Sequence, residues 1–369
     1  MENQIQKEQN PFKKLSGVRV IYPVIIGLGV VGYLFYKEFN PKSFDVITFS
    51  YRTFFYILLA FLLMATRDIG YMLRIRILTK NDLTWGSAFR VIMLWEFSSA
   101  VMPSAVGGTT VAMIYVNKEG INLGRSTAVV MATSFLDELY FIIMFPLLLL
   151  TIKVHTLFAI GIHSPAGEAF SVSNEFLWFA VIGYSLKLVY TIILSYGLFF
   201  NPRGLKWLLL GIFRLPFLRK FRYAAHITGT ELITSSRELK KEPFLFWLKG
   251  FGATFFSWCS RYLVANALLL AFFSVSDHLL IFARQLVMSN MLLLLPSPGG
   301  SGVAEAIFKR YLSDFIPVNA LMVGSVAIVL ALLWRLISYY PYLAIGAIML
   351  PSWLKNKFNK STETDHQKP

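Results

Sequence analysis

The sequence predicts an all-α polytopic membrane protein, an inverted repeat of about six full spans plus two broken, re-entrant helical hairpins. Three observations predict this fold. The 369-residue chain is 56% hydrophobic and only 15% charged, which is too apolar for a soluble protein. Apolar runs of about 17–25 residues recur along it, each long enough to cross the hydrocarbon core of a bilayer. Two further apolar regions carry a Pro/Gly break and share a sequence motif.

The uninterrupted apolar segments are predicted to be full spans, and the two interrupted regions to be hairpins. Each interrupted region is about thirty residues long, and a straight helix of that length would overshoot the membrane. Two half-helices that meet at the break would fit. The full spans are expected at 18–36, 47–66, 127–152, 176–200, 247–273 and 318–350, and the hairpins at 86–116 and 284–312.

The distribution of basic residues predicts the orientation. If each hairpin enters and leaves by one side, 25 of the 35 lysines and arginines lie on the side of the two termini, and 7 lie on the other side. The positive-inside rule therefore places the side that holds both termini in the cytoplasm. The chain is expected in the inner (cytoplasmic) membrane of the cell. Full crossing by both hairpins would also leave both ends inside, so the count favours re-entry without proving it.

Three polar segments flank or interrupt the transmembrane domain at 18–350. The N-terminal tail 1–17 and the tail 351–369 are expected in the cytoplasm, the latter polar and disordered. The basic segment 201–246 is expected to form amphipathic helices on the lipid headgroups. Because no nucleic-acid motif is present, the net charge of +15 is attributed to such contacts and not to nucleic-acid binding.

The two breaks carry related sequences. PSAVGGTTVAMIY (103–115) aligns with PSPGGSGVAEAIF (296–308) through one gap, and the two Gly-Gly pairs begin 192 residues apart, at Gly107 and Gly299. The surroundings match as well, with a span on each side of the break. The halves 18–152 and 176–350 would have opposite orientations, a plan that recurs in transporters.

The breaks are expected to start new half-helices inside the membrane. Prolines remove amide donors, and glycines let the backbone turn. Thr109 and Ser301 are expected to be N-caps, so that free amides and positive dipole ends form a site for an anionic group such as a phosphate. The break residues are Pro103, Gly107, Gly108 and Thr109 in the first half, and Pro296, Pro298, Gly299, Gly300, Ser301 and Gly302 in the second.

Charged residues within the apolar stretches are functional candidates, because a charge inside a membrane is costly. Glu305 is expected either to act in the site or to complete a capping box with the start of its half-helix. Arg335 is expected to bind a phosphate or to pair with Glu305 at a kink before Pro341. The full set is Glu96, Asp137, Glu138, Lys187, Arg261, Glu305 and Arg335.

Other charged residues receive narrower predictions. Asp137 is preferred to its neighbour Glu138 as a cavity residue, since the two face different directions. Arg261 is expected in a polar stripe with Ser257 and Asn266, and Lys187 to snorkel or act in the cavity. A group at the inner boundary is expected to contact headgroups: Arg67, Asp68, Arg74 and Arg76.

The sequence predicts neither a metal nor a cofactor, and no enzymatic activity. A single cysteine, Cys259, excludes an intrachain disulfide and a cysteine-cluster metal site. The histidines show no zinc-ligand spacing, and the chain contains no nucleophile elbow, zinc helix or GxxxxGK[ST] loop.

The sequence resembles the transmembrane, flippase-like domain of the lysylphosphatidylglycerol synthase/flippase family. LPSPGGSGVAEAIF, MPSAVGGTTVAMIYVNKEG and LLWRLISYY carry the resemblance, which covers about 20–350. It implies an integral inner-membrane protein that moves lipids between leaflets. Family members that make lysyl-lipid carry a C-terminal soluble aminoacyl-transferase domain. This chain ends nineteen residues after Leu350, so lipid synthesis is not expected and the lipid cannot be carried over.

Three functions follow as hypotheses. The first is translocation of an anionic, phosphate-containing lipid through a polar cavity between the repeats. The cavity residues are then the break glycines with Thr109, Ser301, Asp137, Arg261, Glu305 and Arg335. The second is secondary transport of a small anion or other solute, which the same repeat plan allows. The third is an enzyme acting on a polyprenyl or glycolipid substrate. Homo-oligomerisation is left open.

Overall fold

A computed structural model of the protein describes residues 36, 50–101, 105–164, 167–172, 174–204, 207, 211, 233–292, 302–318 and 320–358. These residues are helical apart from connecting turns and one antiparallel strand pair, β1 (Ala159–Ser164) and β2 (Gly167–Val172), in which Ala159 faces Val172. The predicted span at 18–36 and the centres of both breaks lie outside the described residues, except for the helical Tyr36.

Eleven α-helices have both ends within the described residues, in a chain order that contains two similar series. They are α1 (Tyr51–Leu78), α2 (Trp85–Val101), α3 (Ala105–Lys118), α4 (Leu123–Thr151), α5 (Val154–Phe158), α6 (Asn174–Ser195) with a π-helical turn (Tyr196–Phe200), α7 (Phe244–Phe272), α8 (His278–Leu292), α9 (Val303–Leu312), α10 (Ala320–Ser338) and α11 (Tyr340–Phe358).

Five helical stretches of the described chain are long and apolar enough to cross a membrane. They are Tyr51–Leu78, Leu123–Thr151, Asn174–Phe200, Phe244–Phe272 and Met322–Asn356. The predicted full spans from 47 onward therefore all coincide with apolar helices, and the multi-pass membrane class is confirmed.

The series α1–α4 and α7–α10 match in order and spacing. Helices α1 and α7 begin at residues 51 and 244, and α2 and α8 at 85 and 278, so each pair is 193 positions apart. In both series a long helix precedes two shorter helices separated by the Pro/Gly break. This spacing agrees with the repeat that the Gly-Gly motifs predict.

Helices α1 and α7 pack antiparallel along their whole length. At one end, Thr53 Oγ1 donates to Ala271 O at 3.0 Å. At the other end, Lys80 Nζ lies 2.6 Å from a Glu242 carboxylate oxygen. Between them, a Cβ added at Gly70 would lie 3.0 Å from Ala253 O, so the absent side chain permits close approach. Corresponding helices of the two series thus pack directly against each other.

Helices α2 and α3 form an antiparallel hairpin, called the first hairpin below. Ser98 Oγ lies 2.7 Å from Tyr115 Oη, and Arg90 Nη2 lies 2.8 Å from a Glu119 oxygen. The open end of this hairpin lies at the C-terminal end of α1, because Arg76 Nε donates to Leu83 O at 3.0 Å.

Helices α8 and α9 form the second hairpin, which opens at the opposite end of the bundle. Arg284 Nη1 donates to Tyr311 O at 2.8 Å, which fixes the two helices as antiparallel. His278 at the start of α8 lies 3.2 Å from Asn266 in the last two turns of α7. That end of α7 packs on the N-terminal end of α1, far from the opening of the first hairpin.

Two predicted boundaries differ from the helix ends, and the last predicted span is divided by a kink. Helix α1 continues past residue 66 to Leu78, because its arginines are paired inside the protein and need not reach the headgroups. The tail after residue 350 is helical to Phe358, with Pro351 inside the helix. The span at 318–350 is two helices separated at Tyr339, which agrees with the kink expected before Pro341.

Candidate functional site

The side chains of Arg67, Tyr71 and Arg74 form one face of α1, since positions i, i+4 and i+7 lie one above another on a helix. The guanidinium groups of Arg67 and Arg74 lie 4.5 and 4.6 Å from the ring centroid of Tyr71. The tyrosine therefore separates two buried arginines and interacts with both through its π face.

Arg67 holds two carboxylates at the first hairpin. Its Nη2 lies 2.6 Å from Glu96 Oε1 on α2, and its Nη1 lies 2.9 Å from Asp68 Oδ1. Tyr342 on α11 donates to the other oxygen of Asp68 at 2.8 Å. Helices α1, α2 and α11 are thus joined by charge-assisted hydrogen bonds, which are stronger than neutral ones.

Arg74 forms a bidentate pair with Asp137 on α4. The two nitrogen–oxygen distances are 2.5 and 3.2 Å. Trp258 Nε1 on α7 donates to the same carboxylate at 2.7 Å, and Thr254 Oγ1 lies 3.2 Å from Arg74 Nη1. Asp137 thereby connects α1, α4 and α7.

The facing side of α7 repeats the spacing of α1, with Thr254, Trp258 and Arg261 at i, i+4 and i+7. Tyr71 and Trp258 meet edge to face, with ring centroids 6.2 Å apart. Arg261 stacks over Trp258 at 5.6 Å. Within the described chain Arg261 makes no hydrogen bond or ion pair with a carboxylate, although its charge is within electrostatic reach of Glu96.

These groups are called the central cluster: Arg67, Asp68, Tyr71, Arg74, Glu96, Asp137, Trp258, Arg261 and Tyr342. Its three arginines and three carboxylates balance in formal charge. The guanidinium groups of Arg67 and Arg74 are 1% and 4% exposed, whereas the carboxylates of Asp68, Glu96 and Asp137 are 18%, 24% and 21% exposed. The acidic side chains are therefore partly accessible, whereas the side chains of Arg67 and Arg74 are buried.

A second set of contacts joins the inner ends of the two hairpins. Glu305 Oε2 accepts from the amide of Gly302 at 2.7 Å, and its Oε1 accepts from Arg335 Nε at 2.9 Å. The Arg335 guanidinium lies 4.6 Å from the ring centroid of Tyr339, whose hydroxyl donates to Ala100 O at 3.1 Å. These residues are called the tip bridge, because they run from the start of α9 to the end of α2.

Several buried donors in these two sets are unsatisfied. Arg67 Nε, Arg74 Nε and Arg335 Nη2 are buried and make no hydrogen bond in the structure. An unmet buried donor costs about 1–3 kcal/mol, more for a charged group. Such a cost is characteristic of sites where an additional ligand or water completes the bonding.

Some predicted roles hold as expected. Glu305 both caps α9 and pairs with Arg335, so the capping box and the ion pair, which were predicted as separate possibilities, occur together. Asp137 and Glu138 face different directions, as adjacent helical residues must. The break placement predicted for Gly107 and Gly108 is wrong, because both lie inside α3; a Cβ at Gly108 would lie 2.9 Å from Ser99 Cα, so Gly108 permits close packing within the first hairpin.

Four predictions about individual residues are wrong. Thr109 is not an N-cap, because α3 begins at Ala105. Lys187 does not snorkel, because its ammonium lies 2.9 Å from a Glu138 oxygen and is buried. Arg67 and Arg74 do not face headgroups, because both are paired within the bundle.

The predicted polar stripe on α7 is divided among different partners. Ser257 donates to Ala253 O within its own helix, and Asn266 contacts His278, so neither bonds to Arg261.

The N-cap position of α9 is occupied by Gly302, with a φ of 85° that favours glycine. The remaining break residues lie outside the described part of the chain: Pro103, Pro296, Pro298, Gly299, Gly300 and Ser301.

Three contributors could not be recognised from the sequence as site residues. Trp258 and Tyr342 are aromatic residues in apolar helices, where packing is the usual role. Arg284, at the start of the predicted second hairpin, received no individual prediction, yet it is buried in α8. The adjacent Gln285 is the sequence feature that could have indicated this burial, because two consecutive polar residues within an apolar segment are typical of a buried polar contact. Among the described residues, no group of three or more His, Cys, Asp or Glu side chains is placed to hold a metal ion.

Comparison with known proteins agrees with this architecture. The chain is 26% identical over 356 residues to a UPF0104 membrane protein of Archaeoglobus fulgidus, and the match covers 92% of this chain and 99% of that protein. The family model described as the lysylphosphatidylglycerol synthase TM region matches residues 20–346. The expected resemblance is confirmed, and the chain belongs to the lysylphosphatidylglycerol synthase transmembrane-region family.

Proposed function

We propose that this protein is a lipid translocase that moves an anionic, phosphate-containing lipid between leaflets. The observation that carries the proposal is Arg261, a partly accessible cation at the centre of the bundle with no carboxylate bonded to it. Charged side chains at this depth face a partner or a water-filled path. A phosphate that reaches Arg261 would supply the missing anion.

The surrounding charges suit a site that releases its ligand. Arg67 and Arg74 are already neutralised by carboxylates, so a headgroup would meet one unpaired guanidinium and not three. The acyl chains would stay in the bilayer while the headgroup crosses. The proposal assigns no chemical step to the site.

Membrane topology forms part of the same proposal. At 1.5 Å per residue, α2 and α3 are about 25 and 21 Å long, and α8 and α9 about 23 and 15 Å, all shorter than a hydrocarbon core of about 30 Å. We propose six full spans with two re-entrant hairpins entering from opposite faces. The end that holds Lys80, Arg90 and Lys355 would face the cytoplasm of the cell, together with both termini.

The test is movement of fluorescent lipid in liposomes that contain the purified protein, read as the fraction of label protected from a reductant outside. Wild-type protein should accelerate movement of labelled phosphatidylglycerol. Arg261→Ala should slow it by about tenfold or more, and Arg261→Lys should keep part of the rate because the charge remains. Arg310→Ala, at an exposed arginine of α9, is the matched control and should change little.

Three outcomes would contradict this assignment. Equal rates for Arg261→Ala and Arg310→Ala would remove Arg261 from the path. Pure protein that moves no anionic lipid would refute translocation. Uptake of a small anion that ignores lipid composition would favour the secondary transporter instead. Labelled phosphatidylethanolamine and phosphatidylcholine, run in parallel, report whether the headgroup must carry a net negative charge.

A further inference from the structure

A pocket lies at the end of α6, away from the central cluster. Its volume is about 350 Å³, within the range of small-molecule sites. Its wall is formed on one side by the π-helical turn and the following loop, and on the other by a helical segment at 233–240. The lining residues are Leu198, Phe199, Phe200, Asn201, Pro202, Arg203, Ile233, Arg237 and Lys240.

Three lining residues are basic and none is acidic. Arg203, Arg237 and Lys240 come from the two opposite walls, and none forms an ion pair within the described part of the chain. The Lys240 ammonium lies 5.9 Å from the ring centroid of Phe200. Three positive charges around one concave space attract an anion, and the planar guanidinium group matches a phosphate in a bidentate arrangement.

The backbone on one side of the pocket is irregular and fixed by hydrogen bonds. The chain leaves α6 through a π-helical turn, in which the amide of Asn201 donates to Tyr196 O at 2.8 Å. Asn201 Oδ1 then accepts from the amide of Gly204 at 2.9 Å, which holds the turn that carries Arg203. Single π-helical turns of this kind are frequent at functional sites.

The pocket lies where a membrane-crossing helix ends. The candidate span Asn174–Phe200 stops at the pocket wall. Tyr196 and Phe200 are exposed beside it and stack with ring centroids 6.4 Å apart. Exposed aromatic residues at the end of a span mark the level of the lipid headgroups. The rim of the pocket is therefore apolar toward the bilayer and cationic toward the headgroups.

We propose that this pocket binds the phosphate group of an anionic phospholipid in the leaflet at the basic end of the bundle. A phosphate anion could also come from a soluble phosphate ester. The exposed aromatic pair at the rim favours the lipid, because acyl chains would cover those rings. This site differs from the central cluster and does not depend on transport.

The test is binding of short-chain phosphatidylglycerol to the detergent-solubilised full chain, measured by thermophoresis. Arg203→Gln/Arg237→Gln should weaken binding by about tenfold, since two of the three positive charges around the phosphate are removed. Arg203→Lys/Arg237→Lys should keep most of the affinity. Lys249→Gln/Lys355→Gln removes the same charge from exposed positions outside the pocket and should bind as the wild type does.

The remaining measurements decide between the sources of the phosphate and control for folding. Short-chain phosphatidylcholine should bind weakly, and glycerol 3-phosphate should not compete at the concentrations at which the lipid binds. Each variant must keep the wild-type elution volume and melting temperature; a pocket variant that does not is replaced by Lys240→Gln alone, with an expected loss of about threefold.

Two results would overturn the proposal. One is equal affinity of the pocket and control variants for phosphatidylglycerol. The other is full competition by glycerol 3-phosphate, which would assign the pocket to a soluble ligand. If the pocket variants bind lipid normally while Arg261→Ala still slows lipid movement, the pocket proposal fails and the proposed function stands.

Discussion

The two hairpins derive from related sequence motifs, but their open ends are anchored differently. In the first hairpin, the Arg90–Glu119 pair closes the open end, and Trp353 Nε1 donates to the same carboxylate at 2.9 Å. Arg90 is more than one third exposed, so water screens the arginine, although its partner Glu119 is only 1% exposed.

In the second hairpin, the anchor is buried. Arg284 is 2% exposed and donates to Asp314 Oδ2 at 2.7 Å and to Tyr311 O. Its other terminal nitrogen donates to Ala159 O at 2.7 Å and Thr156 O at 3.2 Å, in the segment that follows α4. One guanidinium thus ties the hairpin to the other half of the bundle.

This difference indicates that a shared motif specifies the hairpin but not its rigidity. Removing one partner of a fully buried pair costs about 3–5 kcal/mol. Removing Arg90 should cost less, because the arginine is partly exposed and Trp353 still donates to Glu119. We therefore expect the first hairpin to open more readily than the second. The predictions below test this contrast in order of decreasing expected effect.

Arg284→Met should have the largest effect, because it leaves Asp314 charged and buried and frees three carbonyl oxygens. We expect a loss of about 3–5 kcal/mol in the free energy of unfolding, measured as a fall in the denaturant midpoint of the purified protein. Arg284→Met/Asp314→Leu removes both charges and should recover part of the loss. A double variant less stable than the single variant would contradict the ion-pair explanation.

Glu305→Ala should come next, because it removes the cap of α9 and leaves Arg335 without its carboxylate. We expect a loss of about 3 kcal/mol by the same measurement. Glu305→Gln can still accept the hydrogen bond from Gly302 but carries no charge, so its loss reports the ion pair, and the further loss in Glu305→Ala reports the cap. If both substitutions are neutral, the tip bridge does not stabilise the fold.

Gly108→Ala should destabilise the first hairpin by about 1–3 kcal/mol, because the new methyl group overlaps Ser99. Ser99→Gly should restore only part of the loss, because it removes the Oγ and Cβ contacts but leaves the backbone Cα at 2.9 Å. The matched control is Gly252→Ala, at a helical glycine where an added Cβ meets nothing within 4 Å, and it should be neutral or slightly stabilising. The comparison uses melting temperatures, and equal shifts at the two positions would refute close packing at Gly108.

Arg90→Ala should have the smallest effect, about 1 kcal/mol, because Trp353 still donates to Glu119 after the arginine is removed. Raising the salt concentration should reduce the difference in stability between the wild type and Arg90→Ala, because salt screens a partly exposed charge. The difference between the wild type and Arg284→Met should not change, because that pair is buried. The measurement is the denaturant midpoint of both variants at low and high salt. A salt-independent difference for Arg90→Ala would remove the contrast between the two anchors.

Much of the architecture could be predicted from the sequence. Hydropathy located the spans from 127 onward within a few residues, and the spacing of the Gly-Gly motifs predicted the repeat that α1–α4 and α7–α10 display. The start of α9 near Ser301 and the break before Pro341 also followed from local rules for glycine, proline and capping.

The prediction failed where a charge had a partner that was distant in the chain. Residues 67 and 74 were assigned to the membrane boundary, because two arginines in a helix normally end an apolar span. Their carboxylates come from α2 and α4, and no local pattern identifies that pairing. The same reason explains Lys187, which is neutralised by a residue 49 positions away.

The sequence by itself determined that this chain is a membrane protein with two broken helices in a repeated order, because hydrophobic length and backbone restrictions act locally. The tertiary structure decided which charges are compensated. Arg67, Arg74 and Arg335 are held by carboxylates of other helices, whereas Arg261 makes no such bond within the described chain. Side-chain pairing depends on which helix faces bring distant residues together, and that selection distinguishes a structural charge from a candidate site.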